Sequence, residues 1–248
     1  MGLMNAPQTR VTIVTGGSRG IGRETALRLA GDGHAVVVNF AGDQDAADSA
    51  VEEITAAGGR AVAVRADVAD ETAVATMFDR AEAEFGGVDV VVHAAGVMLL
   101  SPLTDQDLDV LDRMHRTNIR GTFVVGQQAA RRLRAGGAII NFSSSVTKLA
   151  RPGYTAYAAS KGAVEAITLT LARELRGRDV TVNAVAPGPT ATALFLDGKS
   201  DELIERIAAE PPLERLGRPD DIAEVVAFLA GPGRWVNGQV IYANGGAA

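Results

Sequence analysis

The 248-residue chain has no cysteine, which excludes disulfides, thiolate chemistry and cysteine-ligated metals. Aromatic residues are scarce at 4% against 47% apolar residues overall, so the core has to be built from Ala, Val, Leu and Ile. The three histidines, His34, His93 and His115, are scattered without metal-ligand spacing, and no metal is expected. His93 reads as a satisfied core histidine, and His34 and His115 read as surface residues. There is no long basic run and the net charge is −6, which argues against a nucleic-acid or anionic-membrane surface. No stretch approaches the ~18 apolar residues of a membrane span. The opening MGLMNAPQTR carries neither an apolar leader core nor Ser or Thr at position 6, so no leader or myristoyl anchor is expected. A soluble cytoplasmic protein is the expectation.

What the chain has is alternation. Apolar, β-branched runs at 11–15, 35–40, 61–64, 88–93, 138–142, 180–185 and 239–242 read as seven strands, nearly continuous in apolar residues as strands buried on both faces should be. Helical patterns fall between them near 21–31, 43–57, 70–85, 104–134, 153–176 and 219–230. Asp43 and Asp70 are placed as N-caps, and Thr104 with Asp107 resembles a capping box. Gly58-Gly59, Gly86-Gly87 and Gly136-Gly137 stand where helices end and strands begin. Strand–helix alternation with right-handed crossovers predicts a doubly wound α/β fold, a parallel sheet with helices on both faces. No linker or repeat divides it, so one domain over residues 1–248 is expected.

The first strand-to-helix turn reads TGGSRGIG, from Thr15 to Gly22. Glycines at 16, 20 and 22 let the backbone pass close to a pyrophosphate, and a helix N-terminus favours its charge. On its own the octet is equally an ordinary glycine-rich turn, since its G-x-x-x-G-x-G spacing departs from the G-x-G-x-x-G fingerprint. Farther on, Tyr157 and Lys161 are four apart and share a helix face. A phenol of pKa about 10 is a poor proton carrier at neutral pH, and a nearby ammonium draws that value down. Ser144, in a serine-rich loop after an apolar strand, is placed to hydrogen-bond the same substrate oxygen. Tyr154 competes as the phenol, but Ala158 and no lysine stands four residues beyond it. Taken alone, Y-x-x-x-K describes a half-buried tyrosine beside a solvated lysine just as well.

TGxxxGIG near the N-terminus with Y-x-x-x-K about 140 residues on resembles the short-chain dehydrogenases/reductases, and the two motifs together span essentially the whole chain. Within that family the sequence is similar to the 3-oxoacyl-[acyl-carrier-protein] reductase-like ketoreductases. The resemblance implies a Rossmann fold and hydride transfer between NAD(P) and a carbonyl or alcohol. It implies Ser144, Tyr157, Lys161 and Asn118 as the catalytic set, with Asn118 kinking a long helix and holding a water. Gly16, Ser18, Arg19, Gly20, Ile21 and Gly22 match the pyrophosphate turn. Asp67, followed by Val68, matches the aspartate that meets adenine. Ala94, Ala95 and Gly96, in HAAG, stand where relatives often have NNAG, so the amides that steady the sheet there are missing. Pro187 and Gly188, with Thr190 and Thr192, match the loop at the nicotinamide carboxamide.

The cofactor expected is NADP (NADPH) rather than NAD. NAD-binding relatives carry an aspartate at the end of strand two; here that position falls on Phe40, or on Asn39, and Arg19 matches a basic residue used for the 2′-phosphate. Asp43 opposes this, and no second arginine follows the strand. The implied reaction is reduction of a ketone, a 3-oxoacyl thioester or another small carbonyl, with Tyr157 as proton donor. The alternatives are an NAD-dependent alcohol, sugar or steroid dehydrogenase and a non-catalytic cofactor sensor. A patch at about 190–212, with Leu194, Phe195 and Leu196, reads as a substrate lid or as a static surface helix. Arg131, Arg132, Arg134 and Arg178 are candidates for docking an acyl-carrier protein or are simply solvated helix-end residues. The resemblance further implies a homotetramer or homodimer, formed through the helices at 104–134 and 153–176 and the last strand.

Overall fold

The computed structural model describes residues 9–248, and the first eight residues, on which the reading of the N-terminus rests, lie outside the described residues. Seven parallel strands form one sheet in the order β3-β2-β1-β4-β5-β6-β7: β1 Val11–Thr15, β2 Ala35–Phe40, β3 Arg60–Arg65, β4 Val90–His93, β5 Gly137–Phe142, β6 Val180–Pro187 and β7 Val240–Ala243. β1, β2, β4, β5 and β6 are buried along their whole length, which is why each reads as an apolar run, whereas the edge strands β3 and β7 are only half-covered.

One face packs α1 (Gly20–Gly31), α2 (Gln44–Ala56) and, later in the chain, the 219–230 helix against Val14, Val36, Val38, Val92 and Ile140. The other face, centred on Ile13, Val37, Val91, Ile139 and Val182, packs α3 (Glu71–Phe85), the 121–132 helix and the long helix that follows β5. The sequence order reverses between β1 and β4, and at that switch point the carboxyl ends of the two strands open a crevice. This is what places the site.

The caps at Asp43 and Asp70 form as expected: each carboxylate accepts from the backbone three residues on, Ala46 N at 3.0 Å and Ala73 N at 2.9 Å. Asp70→Ala should cost about 1 kcal/mol of stability and lower Tm by roughly 2–4 °C, with activity at 25 °C unchanged. Thermal unfolding of the two proteins side by side checks it.

The helix expected over 104–134 is not one helix. A 3-10 turn spans Leu103–Asp105, α4 runs Leu108–His115, a π-turn occupies Arg116–Arg120 and α5 runs Gly121–Arg132. The capping box is also corrected. Asp107 is itself the cap of α4, accepting from Asp109 N at 2.8 Å, and Thr104 belongs to the preceding turn. Beyond β5 come the short α6 (Val146–Leu149) and α7 (Thr155–Glu174); beyond β6 come α8 (Ala193–Leu196), α9 (Asp201–Ala208) and α10 (Pro219–Ala230). Among the described residues no helix is long and apolar enough to cross a membrane, and no cluster of metal-ligating side chains occurs.

Two histidines differ from expectation. His34 is buried rather than at the surface, its Nδ1 2.6 Å from Thr12 Oγ1, and burial lowers its pKa. His115 is half-buried, with Nε2 enclosed and unpartnered among the described residues.

Candidate active site

A cleft of about 580 Å³ lies along the carboxyl ends of the strands. It runs from Arg19, Asn39, Phe40, Asp43, Asp67 and Val68, past the glycine turn and Ala94–Ala95–Gly96, to Ser144, Tyr157, Lys161 and the 187–195 segment. Gly16, Ser18, Gly20, Ile21, Gly22, Pro187, Gly188, Thr190 and Thr192 all line it.

The glycine turn is tight for steric reasons. Gly16 has φ +64°, and a Cβ there would lie 2.9 Å from Ala95 Cα; at Gly22 it would lie 2.2 Å from Gly16 O. A side chain at Gly16 would fill the space between the β1 and β4 ends and one at Gly22 would strike the turn's own backbone, so the cradle suits an extended group that lies close to the backbone, as a dinucleotide does. HAAG costs the sheet little. His93 Nδ1 lies 2.8 Å from Thr15 Oγ1, which also accepts from Ala95 N at 3.2 Å, so imidazole and hydroxyl supply the cross-strand tie. His93 is nonetheless not the fully satisfied core residue expected, because its buried Nε2 has no partner among the described residues. Burial, with the Lys161 charge adding to it, holds its pKa down at about 3.

At the end of the cleft beside β2, Asn39 is buried and structural as well as cleft-lining. Its amide donates to Ala66 O at 3.0 Å and Val64 O at 3.2 Å, while its carbonyl oxygen accepts from Gly16 N at 3.4 Å. Phe40 reaches the cleft but packs mainly into the core beside α2, with 3% exposed. Asp67 accepts from Ala69 N at 2.9 Å and from Arg116 Nη1 at 2.7 Å, bonds that hold its carboxyl below the usual range against the opposing effect of burial. Two arginines here escaped the sequence reading. Arg116 is one. Arg65 is the other: it comes from β3, in register with Phe40, and donates from Nε to Ala41 O at 3.1 Å.

At the other end of the cleft, α7 carries Tyr157 and Lys161 on one face. Lys161 is buried and donates to Phe142 O at 2.8 Å, and burial brings its pKa down to about 8. Tyr157 is pushed up to about 12 by burial, with hydrogen bonding from Ser144 acting against the rise. Lys161 was expected to lower the phenol pKa; burial raises it instead, Ser144 acts in the lowering direction, and the ammonium donates to Phe142 O and lies 5.6 Å from the Tyr157 ring centre. Tyr154 also lines the cleft, its ring 6.5 Å from that of Tyr157 and nearly perpendicular.

Asn118 sits in the π-turn and is fully buried. Its Oδ1 accepts from Val97 N at 2.9 Å, and its Nδ2 donates to Val97 O at 2.9 Å and Ser160 Oγ at 3.1 Å. A Cβ on Gly96 would stand 3.3 Å from Asn118 Oδ1 and 3.6 Å from Lys161 Nζ, so all three residues meet at one point. Arg116 reaching Asp67, and Arg120 reaching Ala69 O and Glu71, pin the π-turn to the loop after β3.

Thr192 caps α8, accepting from Phe195 N at 3.3 Å, and Thr190 Oγ1 donates to Gly188 O at 2.9 Å. The arginines considered for an acyl carrier lie elsewhere. Arg132 is taken by Glu82 and Asp79, Arg134 by Asp89, and Arg178 by Ala130 O, at the end of the sheet where β5 and β6 begin. Arg131 lies in the last turn of α5 at that same end.

Residues 16–248 match the sequence profile of the family described as Enoyl-(Acyl carrier protein) reductase. The chain is 45% identical to an NADPH-dependent aldehyde reductase-like chloroplastic protein of Arabidopsis thaliana, with 96% of this chain and 93% of that one covered. It is 43% identical to the 3-oxoacyl-[acyl-carrier-protein] reductase of Staphylococcus aureus, over 96% and 98% of the two chains. Its fold superposes with a TM-score of 0.91 on a short-chain dehydrogenase from Burkholderia cenocepacia crystallised with NADP, at 40% identity over 98% and 99% of the chains. The chain belongs to the short-chain dehydrogenases/reductases and is an oxidoreductase of that family.

Proposed function

We propose that the protein reduces a small carbonyl compound, a ketone such as a 3-oxoacyl thioester or an aldehyde, to the alcohol with NADPH. The observation that carries this reading is the convergence of Ser144, Tyr157 and Lys161 at one end of a cleft whose other end is a glycine cradle. Gly16 to Gly22, Asp67, Ala94 to Gly96 and Pro187 to Thr192 would hold the dinucleotide, which supplies the hydride when bound. Arg19 and Arg65 stand at the end of β2 as the cations for a 2′-phosphate.

Ser144 Oγ stabilises charge growing on the substrate oxygen and Tyr157 gives up its phenolic proton. With its pKa raised by burial to about 12, Tyr157 holds that proton at neutral pH. An alkoxide is the stronger base, so transfer to it runs downhill. Lys161 Nζ keeps two further protons for the phenol and for ribose hydroxyls, and Asn118 sits beside Lys161 to anchor the water that restores the relay. Leu194 and Phe195 on α8, with α9 behind them, form the lid over an apolar substrate half that includes Met98 and Leu149.

Support for NADPH also comes from the relatives named for it or crystallised with it. An NAD-linked oxidative role lacks its usual aspartate at the end of β2, where Asn39 and Phe40 stand, and the nearest acid, Asp43, is engaged as the cap of α2. Exposed Phe123 on α5, Leu169 on α7 and Trp235 near β7 support assembly into a homotetramer or homodimer. The test is NADPH oxidation with β-ketoacyl thioesters, β-ketoesters, diketones, quinones and aldehydes. Turnover of at least one class is expected, and none with any of them overturns the reading.

A further inference from the structure

α7 carries a third polar residue in line with the first two. Tyr157, Lys161 and Glu165 follow one another at intervals of four on one helix face. Glu165 does not line the cleft. Its Oε1 accepts from Ser143 Oγ at 2.6 Å and from Thr147 Oγ1 at 3.0 Å, two hydroxyls that bracket Ser144 in the chain.

The twelve residues between Ser144 and Tyr157 leave the serine loop at liberty to drift relative to the helix, unless something ties it down. Part of the tie is backbone: Ser143 N donates to Val185 O at 2.8 Å and Ser145 N to Pro187 O at 2.9 Å, which fixes the loop to β6. Neither bond refers Ser144 to α7. Glu165 does. Thr147 Oγ1 is within 3.0 Å of both Glu165 Oε1 and Ser144 O, but it has a single proton. Ser144 O already accepts from Thr147 N at 3.2 Å, and a carboxylate is the stronger acceptor, so the hydroxyl proton goes to Glu165. Tyr242 OH, 3.3 Å from Thr147 Oγ1, then donates to that hydroxyl and carries the chain of bonds to β7.

We propose that Glu165 is a positioning residue: by grasping Ser143 and Thr147 from α7, it sets Ser144 Oγ against the phenol that the same helix presents. The proposal rests on the roles given above to Ser144 and Tyr157. Displacement of a reacting group by about 1 Å costs on the order of 10²-fold in rate, so releasing the loop falls on kcat and spares cofactor binding.

The test is a double-mutant cycle of Glu165→Ala and Ser144→Ala, with kcat, the carbonyl KM, NADPH affinity and Tm measured for each protein. Glu165→Ala is expected to lower kcat about tenfold or more with NADPH affinity within about twofold. Glu165→Gln, whose amide oxygen still accepts, is expected to recover most of the loss. On top of Ser144→Ala, Glu165→Ala is expected to cost less than about twofold, because the group it positions is gone. A Glu165→Ala enzyme within about twofold of native kcat, or a full loss repeated in the Ser144→Ala background, overturns the proposal while leaving Ser144 as assigned. A fully active Ser144→Ala defeats the reading of Ser144 itself. Should Glu165→Ala fail to fold, Thr147→Val removes one of the same bonds from the loop side, and native kcat there overturns the proposal equally.

Discussion

Tyr157→Phe is expected to reduce kcat by on the order of 10²-fold or more while leaving NADPH affinity within about twofold. The phenylalanine keeps the ring, and with it the edge contact to Tyr154 at 6.5 Å and the position over Lys161 at 5.6 Å, so packing changes little. What is lost is the phenolic proton that stands beside Ser144 at the end of the cleft away from the glycine cradle. Tyr154→Phe is the matched control. That phenol also lines the cleft and its pKa is also raised by burial, but no lysine follows it at four residues, so kcat should fall less than about threefold. Steady-state rates and NADPH titration of the two variants decide the matter. If Tyr157→Phe keeps more than about a tenth of kcat, less than ~1.4 kcal/mol of barrier was lost and the phenol is not the donor.

The second large effect is on cofactor choice. The native protein should use NADPH with a kcat/KM about ten- to a hundredfold above that for NADH, the value of one charge-assisted contact to a phosphate at ~1.5–3 kcal/mol. Arg19 is exposed at the N-cap position of α1 without a capping bond, so Arg19→Ala should lower the NADPH value selectively. Arg65→Ala should do so to a lesser degree, since its Nε already serves Ala41 O. Installing an acid to favour NADH is best done at Ala41, which is exposed and lines the cleft, rather than at Phe40. Phe40 is buried in the core, and an aspartate there would put an unpaired charge among aliphatic side chains and unfold the sheet edge before it read any ribose. Asp43 should weaken NADPH binding less than its charge suggests, because its carboxylate is turned onto the α2 N-terminus. Equal efficiencies with the two cofactors in the native enzyme would end the argument.

The parts of this site that were legible in the sequence are those fixed by local geometry. A parallel strand buried on both faces has to be apolar throughout, so β1, β2, β5 and β6 announce themselves. Tyr157 and Lys161 are tied by one helical turn, and the glycine turn by the steric limits at Gly16 and Gly22. What stayed hidden depends on residues far apart in the chain. Arg116 and Asp67 are 49 positions apart, Glu165 and Ser143 are 22, and no periodicity connects either pair. His34 looked like a surface residue because its partner, Thr12, lies on the neighbouring strand. The break in the 104–134 segment was misread for a different reason. Thr104 and Asp107 satisfy a capping pattern in composition, but Asp107 alone folds onto the helix start; the kink expected at Asn118 is there, as a π-turn whose extra residue no periodicity marks.

That change of pitch has a consequence for how the chain tolerates length variation. A π-turn carries one residue more than the α-helix spanning the same rise, and the surplus at 116–120 is what lets α4 and α5 continue on either side while Asn118 turns inward to Val97. Deleting a single residue there would restore an unbroken helix and would look harmless by every measure of helix propensity. It would keep α4 and α5 in phase, since the wide turn absorbs the extra residue, but it would change the side-chain directions within 116–120. Either Asn118 or Arg116 would then face the wrong way, because Val97 and Asp67 are fixed to different strands. The segment is therefore locked in residue count even where its composition is free, and insertions and deletions belong instead in the exposed 197–200 loop between α8 and α9.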